Sequence, residues 1–277
     1  KVEDLKSQGK LPKIAMFGGS VFLFPHPVKE LADFLKGHGM HINYDAAHVA
    51  GLIAGGKFQD PLREGTDTMT MSTHKTLFGP QGGLVLGFEK HAEPIKKAMF
   101  PGLTSSHHIH HMGAKAVAFA EALEFGKDYA EQTIKNAKAL ASELNNIGFK
   151  VLGEKRGYTE SHQTVVNVLD YGDGGTIEAD LEKANIIVNR QLIPGDLKAN
   201  RHYMHPGGIR LGTSEITRLG MKESEMKEIA SLMKQVIVDK KDAAEIAAHV
   251  KEFKTDFKKT QYCFDNKLGA YEYVKLR

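Results

Sequence analysis

The 277-residue chain has room for one large domain or two ordinary ones, and with 41% hydrophobic and 26% charged residues it has the make-up of a globular protein with a sizeable core. A net charge of +3 with both signs interspersed argues against a dedicated nucleic-acid binder, and no apolar run approaches the ~18 residues of a membrane span. The single cysteine, Cys263, excludes an intrachain disulfide and fits a reducing compartment; with no signal peptide visible, a cytoplasmic location is expected.

In chain order, "KIAMFG" (13–18) reads as a buried strand closed by glycine. "PVKELADFLKGHG" (27–39) reads as a helix, with Pro27 in its first turn, Val28, Leu31, Ala32 and Leu35 on the apolar face, and Gly37 and Gly39 stopping it. "HINYD" (41–45) is the next strand, so the order strand, helix, strand predicts a parallel βαβ unit. "TDTMTMS" (66–72) and "GGLVLGF" (82–88) are strands joined by a link too short for a helical crossover, which predicts an antiparallel pair and a mixed sheet. "MGAKAVAFAEALEFG" reads as one helix and "DYAEQTIKNAKALASELNNIG" as the next, with Ile134, Ala137, Leu140, Ala141 and Leu144 as its stripe and Gly148 as its C-terminal cap. "TVVNVLD" (164–170), "NIIVN" (185–189) and "GIRLGT" (208–213) read as strands, and "LEKAN" and "MKEIASLMKQVIVD" as helices. Met221, Met226 and Met233 fit helix packing. The segment 255–277 carries no clear pattern.

Two strand ends carry chemistry-bearing residues. Asp45 ends one apolar run, and Lys75, after Ser72, Thr73 and His74, follows another. Taken singly, Asp45 reads as a turn or cap aspartate, Lys75 as a solvated surface lysine, and His74 and His48 as hydrogen-bonded structural histidines. Taken together at neighbouring strand ends, where α/β sheets bind ligands, an amine and a carboxylate suit pyridoxal phosphate. The lysine would form a Schiff base with the aldehyde and the aspartate would pair with the ring nitrogen. That ion pair is worth about 4 kcal/mol at an effective dielectric of ~20, or roughly three pKa units, enough to keep the nitrogen protonated.

"DAAHVAGLIAGG", "STHKTLFGPQGG", "ANIIVNRQLIPGD" and "GGIRLGTSEITRLG" resemble, in order, motifs of the serine hydroxymethyltransferase family, over residues 13 to 238. The resemblance implies an α/β fold of type I pyridoxal-phosphate enzymes. Its mixed, mostly parallel sheet would belong to a large domain whose C-terminal part is residues 1–125, with a smaller α+β domain over 126–277 and an N-terminal portion lacking upstream. It implies Lys75 as the cofactor-binding lysine, Asp45 as the ring-nitrogen partner, and His48, one helical turn later, near the cofactor's phenolic oxygen. Ser72 stands in a threonine position, His74 helps to set reaction specificity, and Arg210 clamps the substrate's α-carboxylate. Gly207 and Gly208 beside Arg210 permit close backbone approach. The implied reaction interconverts serine and glycine with transfer of one carbon to a reduced pterin, tetrahydrofolate or tetrahydromethanopterin, in a homodimer or higher oligomer that binds neither nucleic acid nor membrane.

The sequence departs from the family at Gln81, where many members have arginine, at "FPGLTSSHH" (100–108), which replaces a glycine-rich phosphate-binding segment but retains Ser105 and Ser106, and at Gln191, where asparagine is frequent. These departures bear on the one-carbon carrier more than on the cofactor. Two rival readings stand beside the first: a related aldolase acting on β-hydroxy amino acids such as threonine, and a non-catalytic partner subunit or fragment. "HHIHH" (107–111) reads as a loop entering a helix, with adventitious affinity for metals; no metal site is expected, because metal ligands usually come from separated elements.

Overall fold

The computed structural model describes residues 1–265, 267, 269 and 270, which form two compact units that divide between Lys127 and Asp128. Of the segment 255–277 that carried no pattern, residues 266, 268 and 271–277 lie outside the described residues.

The first unit opens with α1 (Val2–Ser7), β1 (Ile14–Gly18), α2 (Val28–Gly37) and β2 (His41–Asp45). Short helices α3 (Ala50–Ala54) and α4 (Pro61–Glu64) lead to β3 (Thr68–Ser72), β4 (Gly83–Gly87), α5 (Ala92–Lys97) and α6 (Ile109–Asn146). The sheet order is β1-β2-β3-β4, parallel except for β4, as the short 72–83 link requires. Period-two alternation sends Ile42 and Tyr44 of β2 and Met69 and Met71 of β3 into the core, while His41, Asn43, Asp45, Thr70 and Ser72 line the other face. Val28, Ala32 and Leu35 of α2 pack with Met40 and Ile42.

Three expectations for this unit are corrected. β1 is buried on one face only: Ala15 and Phe17 pack with the core of α2, while Ile14 and Met16 on the other face are 59% and 66% exposed. Leu31 points away from the core of α2 and is exposed. The two helices expected across residues 112–148 are one 38-residue helix, α6, which runs through Gly126. Gly126 has a helical neighbour, Ala122, at ordinary contact distance and needs no left-handed backbone, so nothing there stops the helix. The stop comes at Gly148 (φ +101°), where the N–H groups of Gly148 and Phe149 cap the carbonyls of Asn145 and Leu144.

The second unit adds β5 (Lys150–Val151), β6 (Gln163–Asn167), α7 (Gly174–Lys183), β7 (Asn189–Gln191), β8 (Gly208–Gly212), α8 (Ser214–Arg218), α9 (Glu223–Ile237) and α10 (Ala243–Phe253). Its sheet is antiparallel throughout, in the order β5-β6-β8-β7. One core joins Leu140, Ala141 and Leu144 of α6 to Ile177 and Leu181 of α7, Ile209 of β8 and Met226, Met233 and Ile237 of α9; Met221, in the turn before α9, packs with them. The strand expected at 185–189 is displaced: only Asn189 of that run is in β7, Asn185 has φ +59°, and Ile187 is 76% exposed. Its apolar residues serve the turn after α7, so their β-branched character does not report a sheet position. No helix among the described residues is long and apolar enough to cross a membrane.

Candidate active site

Asp45 is the last residue of β2, and Lys75 follows the end of β3, its parallel neighbour, by three residues. The same edge of the sheet ends β1 at Gly18, whose register partner is Asp45. A Cβ on Gly18 would lie 2.1 Å from the Asp45 carbonyl oxygen, and Gly19 N–H donates to that oxygen at 3.3 Å. Gly18 N–H donates to His26 Nδ1 (3.2 Å), and His26 is held through Gln59, which also accepts from the Tyr44 hydroxyl (2.7 Å). Burial lowers the pKa of His26, so its ring stays neutral and able to accept.

Asp45 Oδ1 accepts from Ala47 N–H at 2.9 Å, which aims the carboxylate out of the strand end. Its other oxygen makes no hydrogen bond or ion pair among the described residues. His48 lies in the turn before α3 rather than on a helix, half-buried, and its carbonyl accepts from Thr76 Oγ1 at 2.8 Å. Thr76 Oγ1 also accepts from Gly51 N–H at 3.0 Å. Thr76, the residue after Lys75, is buried, and a Cβ on Gly51 would stand 2.1 Å from its carbonyl oxygen. The loop after Asp45 and the loop carrying Lys75 are therefore clamped at backbone distance.

Residues 73–82 close on themselves. Thr73 N–H donates to Gly82 O (3.0 Å), Thr73 Oγ1 to Pro80 O (2.7 Å) and Gly79 N–H to Thr73 O (2.7 Å). His74 Nδ1 accepts from Gly82 N–H at 3.3 Å. His74 and Lys75 are exposed on this loop, Ser72 is half-buried at its root, and Gln81 is exposed within it. An amine and a carboxylate at neighbouring strand ends, with glycines at the third end that leave the carboxylate approachable, are a donor set that fits pyridoxal phosphate. Ser105 and Ser106 lie in an exposed segment before α6; His110 and His111 are on its first turn, where a loop entering a helix was expected.

In the second unit, Arg210 stands on β8 opposite Asn189, and its Nη2 donates to Asn189 Oδ1 at 3.1 Å. Burial pushes the guanidinium pKa down, with Tyr203 opposing the shift. Gly207 and Gly208 serve the fold beside it. Gly207 N–H donates to the buried Asp196 carboxylate (2.8 Å), and a Cβ on Gly208 would come within 2.4 Å of the Ile193 side chain. Asp196 also accepts from Ile193 N–H (2.9 Å), closing the 193–207 loop that carries Tyr203. Arg190 is paired with Glu178, and Gln191 Nε2 donates to Leu192 O (2.9 Å). Thr76, Gly51 and Asp196 escaped the sequence reading. The glycines of "AGLIAGG", like Gly207 and Gly208, are visible signs of a close approach, but they name no partner.

The serine hydroxymethyltransferase family profile matches residues 2–233. The chain is 76% identical over all 277 residues to a serine hydroxymethyltransferase of Nitrosopumilus maritimus (strain SCM1) and 74% identical to that of Cenarchaeum symbiosum (strain A). It spans 63% of the length of each of these relatives. Among solved structures, an L-threonine transaldolase from Pseudomonas fluorescens in its internal aldimine state superposes with a TM-score of 0.85 at 33% identity, over 96% of this chain and 60% of that one.

Proposed function

The chain belongs to the serine hydroxymethyltransferase family, a pyridoxal-phosphate family, and from that premise we propose that it acts in interconverting serine and glycine, with one carbon passed to a reduced pterin, tetrahydrofolate or tetrahydromethanopterin. The observation that carries the reading is the clamp at Thr76, which ties the loop after Asp45 to the loop of Lys75 at the ends of two adjacent parallel strands.

Pyridoxal phosphate, when bound, supplies an electrophilic aldehyde and an electron-withdrawing ring. The Lys75 Nζ is the nucleophile that would hold it and, once released, a base able to carry a proton. The Asp45 carboxylate, aimed by Ala47 N–H, would pair with the ring nitrogen and favour its protonated form, through a charge pair worth about 4 kcal/mol at an effective dielectric of ~20. His48 and Ser72 stand on the same two strand-end segments and are assigned to the cofactor's polar substituents; His74, fixed by Gly82 N–H, is assigned to proton handling beside the lysine. Arg210 is assigned to the substrate α-carboxylate, to which its planar fork would donate two parallel hydrogen bonds. Family membership supports a homodimer or higher oligomer in the cytoplasm.

Borohydride reduction of the cofactor-loaded protein, followed by peptide mapping, tests the assignment. The reduced adduct is expected on Lys75 and absent from Lys75→Ala; an adduct elsewhere defeats the reading. The likeness to a threonine transaldolase favours a second reading, cleavage of β-hydroxy amino acids without a pterin. Serine cleavage that rises on adding either pterin supports the first; a rate indifferent to both supports the second.

A further inference from the structure

At the opposite end of the first unit's sheet, three side chains from separate elements converge. His41 opens β2, Asp67 immediately precedes β3, and His91 ends the turn after β4. Their candidate ligand atoms all lie within 4.8 Å of one another. His41 Nδ1 is 3.9 Å from Asp67 Oδ2, and His91 Nε2 is 3.7 Å from Asp67 Oδ1. Both distances are too long for hydrogen bonds. They are a few tenths of an ångström above the separation of about 3.3–3.4 Å between two ligands on one tetrahedral zinc ion with bonds of about 2.0–2.1 Å.

The hydrogen bonds around the cluster assign the protons. Asn43 Nδ2 donates to Thr70 Oγ1 (3.3 Å), which turns Asn43 Oδ1 toward Thr68. Thr68 Oγ1 spends its only proton on that oxygen (2.9 Å), so it accepts from His41 Nε2, 2.9 Å away. In the neutral ring the proton is therefore on Nε2, and Nδ1 presents a lone pair to the Asp67 carboxylate. Two lone pairs facing each other repel unless a cation lies between them. The Nε2–H to Thr68 bond is also the outer hydrogen bond that orients metal-binding histidines. His91 Nε2 is independently buried and has no hydrogen-bond partner among the described residues. Asp67 is 6% exposed, and Ile42 N–H fixes its Oδ2 at 2.9 Å. The two imidazoles meet edge to face, 5.0 Å between centroids, with His41 Nδ1 3.9 Å and His91 Nε2 3.7 Å from the Asp67 oxygens.

We propose that His41 Nδ1, the Asp67 carboxylate and His91 Nε2 form a three-ligand site for a divalent ion of the zinc class, with water completing its shell. Two imidazoles and a carboxylate suit zinc, cobalt or nickel better than calcium or magnesium, which prefer oxygen. The ion ties the starts of β2 and β3 to the turn after β4, far along the strands from Asp45 and Lys75. Its role is to staple this end of the sheet, not to react. Lys36 and Lys90 also reach Asp67 Oδ1, at 3.9 and 3.7 Å. Both are long, with Lys36 part-buried and Lys90 mostly exposed, and they supply the countercharge when the ion is absent. Because they compete with the ion, binding is expected in the micromolar range rather than at the strength of a closed structural site.

The test is calorimetric titration of zinc into the cofactor-loaded protein after chelator treatment, with the visible absorption of bound cobalt as a second readout. One ion per chain is expected. His41→Ala and His91→Ala should each weaken binding at least tenfold. Lys90→Met, a surface change that leaves the ligands in place, should tighten it several-fold, and this variant keeps the proposal testable if a histidine variant misfolds. The triple variant His108→Asn, His110→Asn, His111→Asn should bind as the parent does. Zinc uptake that is lost in the triple variant and kept in His91→Ala would assign the ion to the histidine run and overturn the site. No uptake at millimolar zinc, or affinity unmoved by Lys90→Met, would overturn it equally.

Discussion

Gly51 and Thr76 meet so closely that neither tolerates a larger neighbour: Gly51 N–H donates to Thr76 Oγ1 at 3.0 Å, and a Cβ on Gly51 would stand 2.1 Å from the Thr76 carbonyl oxygen and 2.3 Å from its carbonyl carbon. The obstructing atoms are backbone, so they cannot swing aside. Gly51→Ala is expected to cost about 1–3 kcal/mol through overpacking. Thr76→Val is expected to cost about 2 kcal/mol, because it strands the buried Gly51 N–H and the His48 carbonyl. Thermal unfolding of both single variants and the double variant checks this. The double variant should lose less than the sum, since each change breaks the same contact. Unchanged melting of Gly51→Ala would mean the two loops are not in contact.

Asp45→Asn keeps an oxygen for Ala47 N–H and removes only the charge. If the carboxylate holds a protonated ring nitrogen through about 4 kcal/mol, losing it should lower kcat about a thousandfold. The cofactor should still attach to Lys75, so the borohydride-reducible adduct should persist. Steady-state kinetics beside the adduct assay separate the two effects. A kcat within threefold of the parent removes Asp45 from the proposed role.

Arg210→Lys retains one positive charge but loses the paired donors of the guanidinium. A charge-assisted hydrogen bond is worth about 1.5–3 kcal/mol, so the KM for serine should rise about ten- to a hundredfold while the bound cofactor's absorbance stays as it was. Asn189→Ala, which removes the neighbour that Arg210 Nη2 bonds at 3.1 Å, should move KM in the same direction by less. An unaltered KM in Arg210→Lys would show that the carboxylate is held elsewhere.

Strand ends were readable because period-two burial and the closing polar residue are local signals: "HINYD" and "TDTMTMS" each end on the residue that ends the strand, Asp45 and Ser72. The short link after Ser72 likewise forces an antiparallel partner. What could not be read depends on remote partners. Gly126 looked like a helix stop, but the helix continues because a glycine without a left-handed backbone is only a weak breaker. "NIIVN" has strand composition, yet only Asn189 enters β7: Val188 and Ile186 pack on the core of the second unit while Ile187 is exposed. The four histidines of "HHIHH" (107–111) are close in sequence and were read as a loop with only adventitious metal affinity, whereas His41, Asp67 and His91 meet only once β2, β3 and the turn after β4 have folded. In the same way, the Thr76 clamp brings together positions 25 residues apart, which no local pattern announces.

Asp173 offers a pH-dependent prediction in the second unit. It is the N-cap of α7, accepting from Gly175 N–H (2.9 Å) and Thr176 N–H (3.1 Å), with the Thr176 hydroxyl (3.0 Å) and His205 Nδ1 (3.4 Å) beside it. Burial acts to raise its pKa, but these hydrogen bonds outweigh burial and hold the carboxyl below its ordinary value. A carboxylate whose pKa is lower in the folded state stabilises the fold above its unfolded pKa, about 3.9. That contribution fades as the pH falls through the lower, folded value. Asp173→Ala should therefore cost about 1 kcal/mol at pH 7, the usual worth of an aspartate cap, and progressively less below about pH 4. Asp173→Asn, which still caps but does not titrate, should lose less at pH 7 and show a shallower fall in stability with acid. Urea unfolding of the three proteins at pH 7 and at several values below 4 measures both slopes. If Asp173→Asn declines with acid as steeply as the parent, the titration that matters lies on another carboxylate.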